Sequence, residues 1–443
     1  MIHTIKKLFQ SSRELLIFAL PVIIGEVGQI LFGVGDVLVA GRYSTEVLGA
    51  LGTACGFFFP FLILGVGIMY AISPTKAKII GEGGETRQFP YSSLILAIIT
   101  GSVLAVLLGV LTFFLDDFSL QPELVPLIKI YLRITAVSLI PVLVFAALKE
   151  NLLAFGKTIY PNSLIIIFNI VNILGNILLM IICDMGITGA ALSTVITRTL
   201  MAVTLYTYTR NKLGMHGTVS WELLKRLTLM GIPIGLNNLM SGLIFCIVAV
   251  LAGQMSILDS AANNIVLNIT SMMFMVPFAL SSVAAVKISR AYGQGDYGQM
   301  RLYAWSAAFV ATCFSSVVAV LMYYFPSSIA HLVTNDAEVI QHVTTIMFFV
   351  AIYQVPDALQ IVILGTLRGV HIVKVPLIAG LVGIWAIGLP AACYCAYTMK
   401  MNAAGLWAGL ALGLTVMAVA LMYLFIKTFS PSAKLNPKEK TVS

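Results

Sequence analysis

Long, uninterrupted apolar runs alternate with short polar gaps along the whole chain. A helix needs roughly 20 apolar residues to cross about 30 Å of hydrocarbon. The pattern predicts twelve such helices, at about 15–40, 48–72, 91–115, 124–148, 159–182, 186–209, 223–252, 262–286, 302–326, 338–366, 374–398 and 402–427. Membrane β-strands would alternate polar and apolar residues over roughly ten positions. These runs are longer and continuously apolar, so the expected fold class is an all-α polytopic membrane protein.

Of 443 residues, 59% are hydrophobic and only 10% are charged, too few charges to cover a soluble surface. The first run is too long for the apolar core of a signal peptide, and similar runs follow it. Six cysteines (Cys55, Cys183, Cys246, Cys313, Cys393, Cys395) lie mostly inside apolar runs and read as small buried hydrophobes rather than as metal or redox pairs.

The net charge of +8 is distributed as loop charge, so no nucleic-acid partner is expected. Lys6, Lys7 and Arg13 precede the first run. Even-numbered connections hold Lys76, Lys78, Arg87, Lys149, Lys157, Arg210, Lys212, Lys225, Arg226, Lys287, Arg290, Arg301, Arg368 and Lys374, and the tail adds Lys434, Lys438 and Lys440. The alternate connections carry only Arg42 and Lys400, among acids such as Glu46, Asp116, Asp184 and Asp259. Under the positive-inside rule both termini face the cytoplasm, and an even helix count agrees.

The two halves of the chain repeat one another. "LLIFALPVIIGEVGQILFGVGDVLVAG" aligns with "RLTLMGIPIGLNNLMSGLIFCIVAVLAGQ", setting Pro21 over Pro233 and Gly41 over Gly253. "KIIGEGGETR" falls on "RAYGQGDYGQ", pairing Gly81 with Gly293 and Gly83 with Gly295. Later Pro141 matches Pro356, and Pro161 matches Pro376. Six helices per half is an even number, so the repeats are parallel. The expected organisation is a tail at 1–14, an N-lobe at 15–209, a linker at 210–222, a C-lobe at 223–427 and a tail at 428–443, with the lobes facing a central cleft.

Polar residues inside the spans are the candidate chemistry. An ionisable group at membrane depth costs at least ~2.5–3.5 kcal/mol, so it normally faces a cavity or a partner. Asp36 lies far into the first span, followed by "VLVA". At 100° per residue it shares one face with Glu26, Gln29 and Gly33. Glu26 stands about 15 Å of helix rise away, too far to share a proton with Asp36, so it is either a separate ion-coupling candidate or an acid satisfied by a neighbouring helix. In the fifth span Asn169, Asn172 and Asn176 make an amide stripe that fits either interhelical bonding or an ion relay. Asp357 follows Pro356 in the tenth span, with Gln360 one turn on; the proline suggests a kink that opens oxygens to a ligand. Asn237 and Ser241 of the seventh span, with Gln29, complete the candidate cavity lining. Arg198 is expected to snorkel toward the cytoplasmic side.

No nucleotide-binding loop, zinc spacing or serine elbow is present, so neither an enzyme nor a cofactor is expected, and free energy would come from an ion gradient. A channel filter is also missing.

These residues are similar to the multidrug and toxic compound extrusion (MATE) family, whose superfamily also holds lipid and oligosaccharide flippases. The resemblance covers about residues 12 to 425. It rests on "ALPVIIGEVGQILFGVGDVLVAGR", "GEGG" and "GQGD", "GITGAALST" and "PDALQIVILGTLRG", the last most like the NorM-like branch. It implies a bacterial plasma-membrane antiporter, working as a monomer, that exports amphipathic or aromatic organic cations against H⁺ or Na⁺. The family's first-helix acid falls on Asp36, its tenth-helix acid on Asp357 and its fifth-helix polar pair on Asn172 and Asn176. The branch's seventh-helix glutamate falls on Ser241, so that acid is missing, which favours proton coupling through Asp36 over a Na⁺ site in the C-lobe. The alternative is a flippase or exporter of a specific lipid-linked or metabolite substrate. That function would call for several basic residues at membrane depth.

Overall fold

The computed structural model describes residues 2–118, 120–213 and 218–430. The tail lysines Lys434, Lys438 and Lys440 and linker positions 214–217 lie outside them. The described residues are helical throughout, joined by short turns. In order the helices are α1 (Ile2–Tyr43), α2 (Thr45–Met69), α3 (Ile72–Gly81), α4 (Phe89–Leu111), α5 (Val125–Val137), α6 (Leu139–Ala154), α7 (Ile159–Asn176) and α8 (Gly186–Leu213). The second half follows with α9 (Trp221–Met255), α10 (Ile257–Gly293), α11 (Tyr297–Tyr324), α12 (Pro326–His331), α13 (Ala337–Gly369), α14 (Lys374–Gly380), α15 (Leu389–Cys393) and α16 (Asn402–Phe429). Wide π-helical turns extend α7 at Ile177–Ile182 and flank α15 at Leu381–Gly388 and Tyr394–Thr398.

Among the described residues, eleven helical stretches are long and apolar enough to cross a membrane. The pair α5 and α6, bent by 41°, brings the number to as many as twelve. This pair occupies the predicted fourth span. Its bend has a local cause: Pro141 cannot donate to the carbonyl of Val137, and Ser138 turns its hydroxyl back onto the Thr135 carbonyl at 2.6 Å.

Contacts divide the chain into two compact units, Ile17–Cys246 and Met1–Leu16 with Ile247–Ser443. The divisions fall inside α1 and α9. In the second unit the start of α1 is fastened by Glu14, whose carboxylate accepts from the Tyr303 hydroxyl at 3.1 Å and pairs with Lys287.

The sequence repeat is also a structural repeat. Gly83 and Gly295 both take φ +73°, a left-handed helix cap that a side chain resists. In the first copy the Gly83 amide bonds Ile80 at 3.2 Å and the Gly84 amide bonds Ile79 at 2.9 Å. In the second the Gly295 amide bonds Tyr292 at 3.1 Å and the Asp296 amide bonds Ala291 at 3.0 Å. The same two cap bonds recur at matched positions.

Helix packing uses small residues where backbones meet, as expected without a water-driven force between helices. Along the contact of α10 and α13, a methyl group on Gly365 would sit 2.3 Å from the Ser281 carbonyl, and one on Gly369 2.9 Å from that of Ala285.

The interior revises the charge map drawn from sequence. Lys76, Lys149 and Arg368, assigned to cytoplasmic loops, are 1%, 6% and 9% exposed inside α3, α6 and α13. Near a helix end a lysine or arginine reads as loop charge, although its long side chain can equally turn inward.

Candidate functional site

In the unit Ile17–Cys246, α1, α7 and α8 enclose Asp36, which is 4% exposed. Its carboxylate accepts from the Asn176 amide at 2.5 Å. The same amide nitrogen also faces the Asn172 side-chain oxygen at 3.4 Å, and Ser193 of α8 donates to the Asn172 carbonyl at 3.1 Å. Asn176 closes α7 where the π-helical turn begins, an irregularity common at functional sites. The amide stripe therefore does face the carboxylate. Asn169 is buried too, but it binds the Gly28 carbonyl at 2.7 Å and fixes α7 to α1.

Two further polar atoms around this carboxylate are buried without a partner, the Asn172 amide nitrogen and the Asn176 side-chain oxygen, and the Thr194 hydroxyl stands within hydrogen-bonding reach of Asp36. Each unmet group costs about 1–3 kcal/mol, so the cluster suits an additional polar occupant. A proton on Asp36 would serve. So would a small hard cation held by Asp36, Asn176 and Thr194 oxygens. Among the described residues no group of three or more His, Cys, Asp or Glu side chains could hold a metal ion.

Arg198, one turn beyond Thr194, corrects the snorkelling expectation. Its guanidinium donates to the Ser138 hydroxyl at 2.7 Å and lies over the rings of Phe58 and Phe32, at 4.9 and 5.7 Å. Aromatic faces and a hydroxyl at the α5–α6 bend hold this charge inside the unit, within electrostatic reach of Asp36.

Glu26 has a different partner. Its carboxylate forms an ion pair with Lys149 at 2.6 Å, with both side chains 7% exposed, and accepts from Gln29 at 3.3 Å. The sequence stripe thus divides into two separate acids, with Gln29 and Gly33 exposed between them. Lys149 opens a triplet that pattern reading missed. Successive residues point 100° apart on a helix, so Lys149 reaches α1, Glu150 accepts from Ser73 of α3, and Asn151 accepts from Lys76 at 2.9 Å and donates to Ser93 of α4 at 2.6 Å. Asn237 and Ser241, on α9, belong to the same unit; Asn237 is buried and Ser241 half-buried.

In the other unit Asp357 is 5% exposed and accepts from Gln360 at 3.3 Å. The helix runs through Pro356 without a break. Unpartnered oxygens of Gln354 and Gln360 lie on the same helix. Trp407 donates to Asn263 at 2.9 Å and packs on Tyr353, one turn before Asp357. Nothing in the sequence pattern joined Trp407 to this helix, because the contact spans different runs. Val248 stands where the repeat would place an acid matching Asp36, and it is fully buried.

A family model described as MatE matches residues 21–178 and again 233–394. This chain belongs to the MatE family. The two matches begin on Pro21 and Pro233, the pair that opens the repeat, so the internal duplication is the family's own unit. A protein described as probable multidrug resistance protein NorM from Acinetobacter baylyi is 27% identical over 420 residues, covering 91% of this chain and 93% of that one. Among solved structures, the eukaryotic MATE transporter AtDTX14 superposes with a TM-score of 0.86 at 18% identity, over 95% of this chain and 96% of that one. A MOP superfamily transporter from Pyrococcus furiosus, described as having a binding pocket of reversed polarity that suggests a different function, superposes with a TM-score of 0.84 at 18% identity over 95% and 96%. At these identities the structural likeness speaks for the fold alone. Membership of the MatE family makes the chain a secondary-active membrane transporter rather than an enzyme.

Proposed function

We propose that the protein is an antiporter that exports amphipathic organic cations in exchange for protons, with Asp36 as the principal coupling site. Two parallel six-helix lobes, residues 15–209 and 223–427, would alternate access in a bacterial plasma membrane, with both termini cytoplasmic and a monomer as the working unit. The observation that carries this reading is the solitary Asp36 carboxylate. It is buried inside a candidate membrane span, hydrogen-bonded by neutral groups and beside unmet polar atoms, and among the described residues no cation is in direct contact with it. Such a group changes its charge at lower cost than one locked in an ion pair. Coupling through it follows if proton and cationic substrate favour different access states.

A proton is favoured over Na⁺ because the cluster offers one carboxylate and already senses the charge of Arg198. Asn172 and Asn176 would orient Asp36. Gln29, Asn237 and Ser241 would meet the substrate in the unit Ile17–Cys246, and Asp357 and Gln360 would meet it in the other unit. The test is reconstitution: vesicles containing the protein should take up a fluorescent organic cation when loaded acid inside, and collapse of the pH gradient should stop uptake. Uptake that persists after collapse would defeat the exchange reading. For Asp357, Asp357→Asn should weaken substrate binding about tenfold, the scale of one lost charge contact. Unchanged affinity and transport would make Asp357 a structural residue.

A second reading, export or flipping of a specific lipid-linked or metabolite substrate, gains from the buried cations. Lys76, Lys149, Arg198 and Arg368 place more basic charge in the helices than the sequence pattern allowed. These cations are engaged internally, among them Lys76 with Asn151, Lys149 with Glu26 and Arg198 with Ser138. That leaves less for an anionic headgroup and keeps the organic-cation reading ahead.

A further inference from the structure

The Glu26–Lys149 pair has no task in the exchange at Asp36. We propose that Glu26 is a second cation site, where the charged group of an organic-cation substrate displaces the Lys149 ammonium. This deepens the organic-cation reading and rests on it.

The site already holds an alkylammonium, Lys149 Nζ, at 2.6 Å from the Glu26 carboxylate, inside a helical unit. Lys149 is therefore a tethered stand-in for an amine or ammonium ligand, and it defines the chemistry that the site accepts.

The pair is also poorly satisfied. An ammonium has three N–H donors, yet among the described residues Lys149 finds one acceptor. The second carboxylate oxygen has only the long 3.3 Å bond from Gln29. A buried ion pair offsets its desolvation only when its remaining hydrogen-bonding capacity is met. A bond of this kind is a weak fastener and an exchangeable one.

Access and exit are both provided. Gln29, bound to Glu26, is exposed, and the next member of the stripe, Gly33, is exposed with open space where a side chain would begin. A ligand can therefore reach Glu26 along α1. The displaced lysine lies five residues before the end of α6 at Ala154, about 7.5 Å of helix rise. Its four-carbon stem spans most of that distance and can carry the charge toward the interface.

The experiment uses full-length protein in nanodiscs at constant pH, with no gradient and with tetrabutylammonium as the probe. Lys149→Met should bind the probe about tenfold tighter, as expected when a competing charge leaves a buried acid. The double variant Glu26→Gln/Lys149→Met should lose that gain. In the wild type, saturating probe should raise labelling of Lys149 by an amine-reactive ester, read on its peptide by mass spectrometry. This arm decides the matter if Lys149→Met does not fold. Unchanged affinity in folded Lys149→Met, a gain that survives in the double variant, or labelling that ignores the probe would overturn the proposal. Failure of proton exchange would instead appear as loss of gradient-driven transport with this binding intact.

Discussion

Asp36→Asn should abolish proton-driven transport, lowering the initial rate at least about a hundredfold, while the purified protein keeps its helical content and melting behaviour. Asparagine keeps the shape of the side chain and can still pair with the Asn176 amide, so packing among α1, α7 and α8 survives. Only the exchangeable proton is removed, and with it the difference between two charge states on which coupling depends. Initial rates in proteoliposomes under an imposed pH gradient, beside thermal melts of the same preparations, separate the two effects. A variant that transports at near wild-type rate would move the coupling site elsewhere.

A large structural effect is expected at the contact of α10 with α13. A side chain at Gly365 would meet the Ser281 carbonyl at 2.3 Å, and backbone cannot give way as a flexible side chain can. Gly365→Ala should cost about 1–3 kcal/mol, the usual range for an overpacked core. Gly365→Leu should prevent recovery of monodisperse protein. Gly33→Ala is the control, since nothing lies within 4 Å of the place its methyl group would take on the open face of α1. There alanine should leave the melting temperature unchanged or raise it slightly. Size-exclusion profiles and thermal melts check all three. A well-folded Gly365→Leu would mean that α10 and α13 stand further apart.

Much of the fold was legible because membrane helices write themselves in composition and length. The repeat was legible as well, down to Gly83 and Gly295, because the left-handed cap of each copy asks for the same residue. The Asp36 cluster could be read in part: three amides at helical spacing announced a face, though not which amide would touch the acid. What stayed hidden depended on side-chain direction. Lys149 and Lys76 lie near helix ends, where a basic residue reads as loop charge, and only the packed helices show them turning inward. Arg198 was hidden in the same way, because its Ser138 and aromatic partners come from other runs. The bend between α5 and α6 was written in Pro141, yet a hydropathy run passes through a proline without registering it.

In the proposed exchange, proton movement through Asp36 drives export of an organic cation. Its most direct measurement is transport by the wild-type protein in sealed proteoliposomes with a pH gradient and a Na⁺ gradient imposed separately, the first in Na⁺-free buffer. Concentrative movement of the cation is expected under the pH gradient alone, and none under Na⁺ alone. Movement driven only by Na⁺, or unaffected by either gradient, would contradict that exchange.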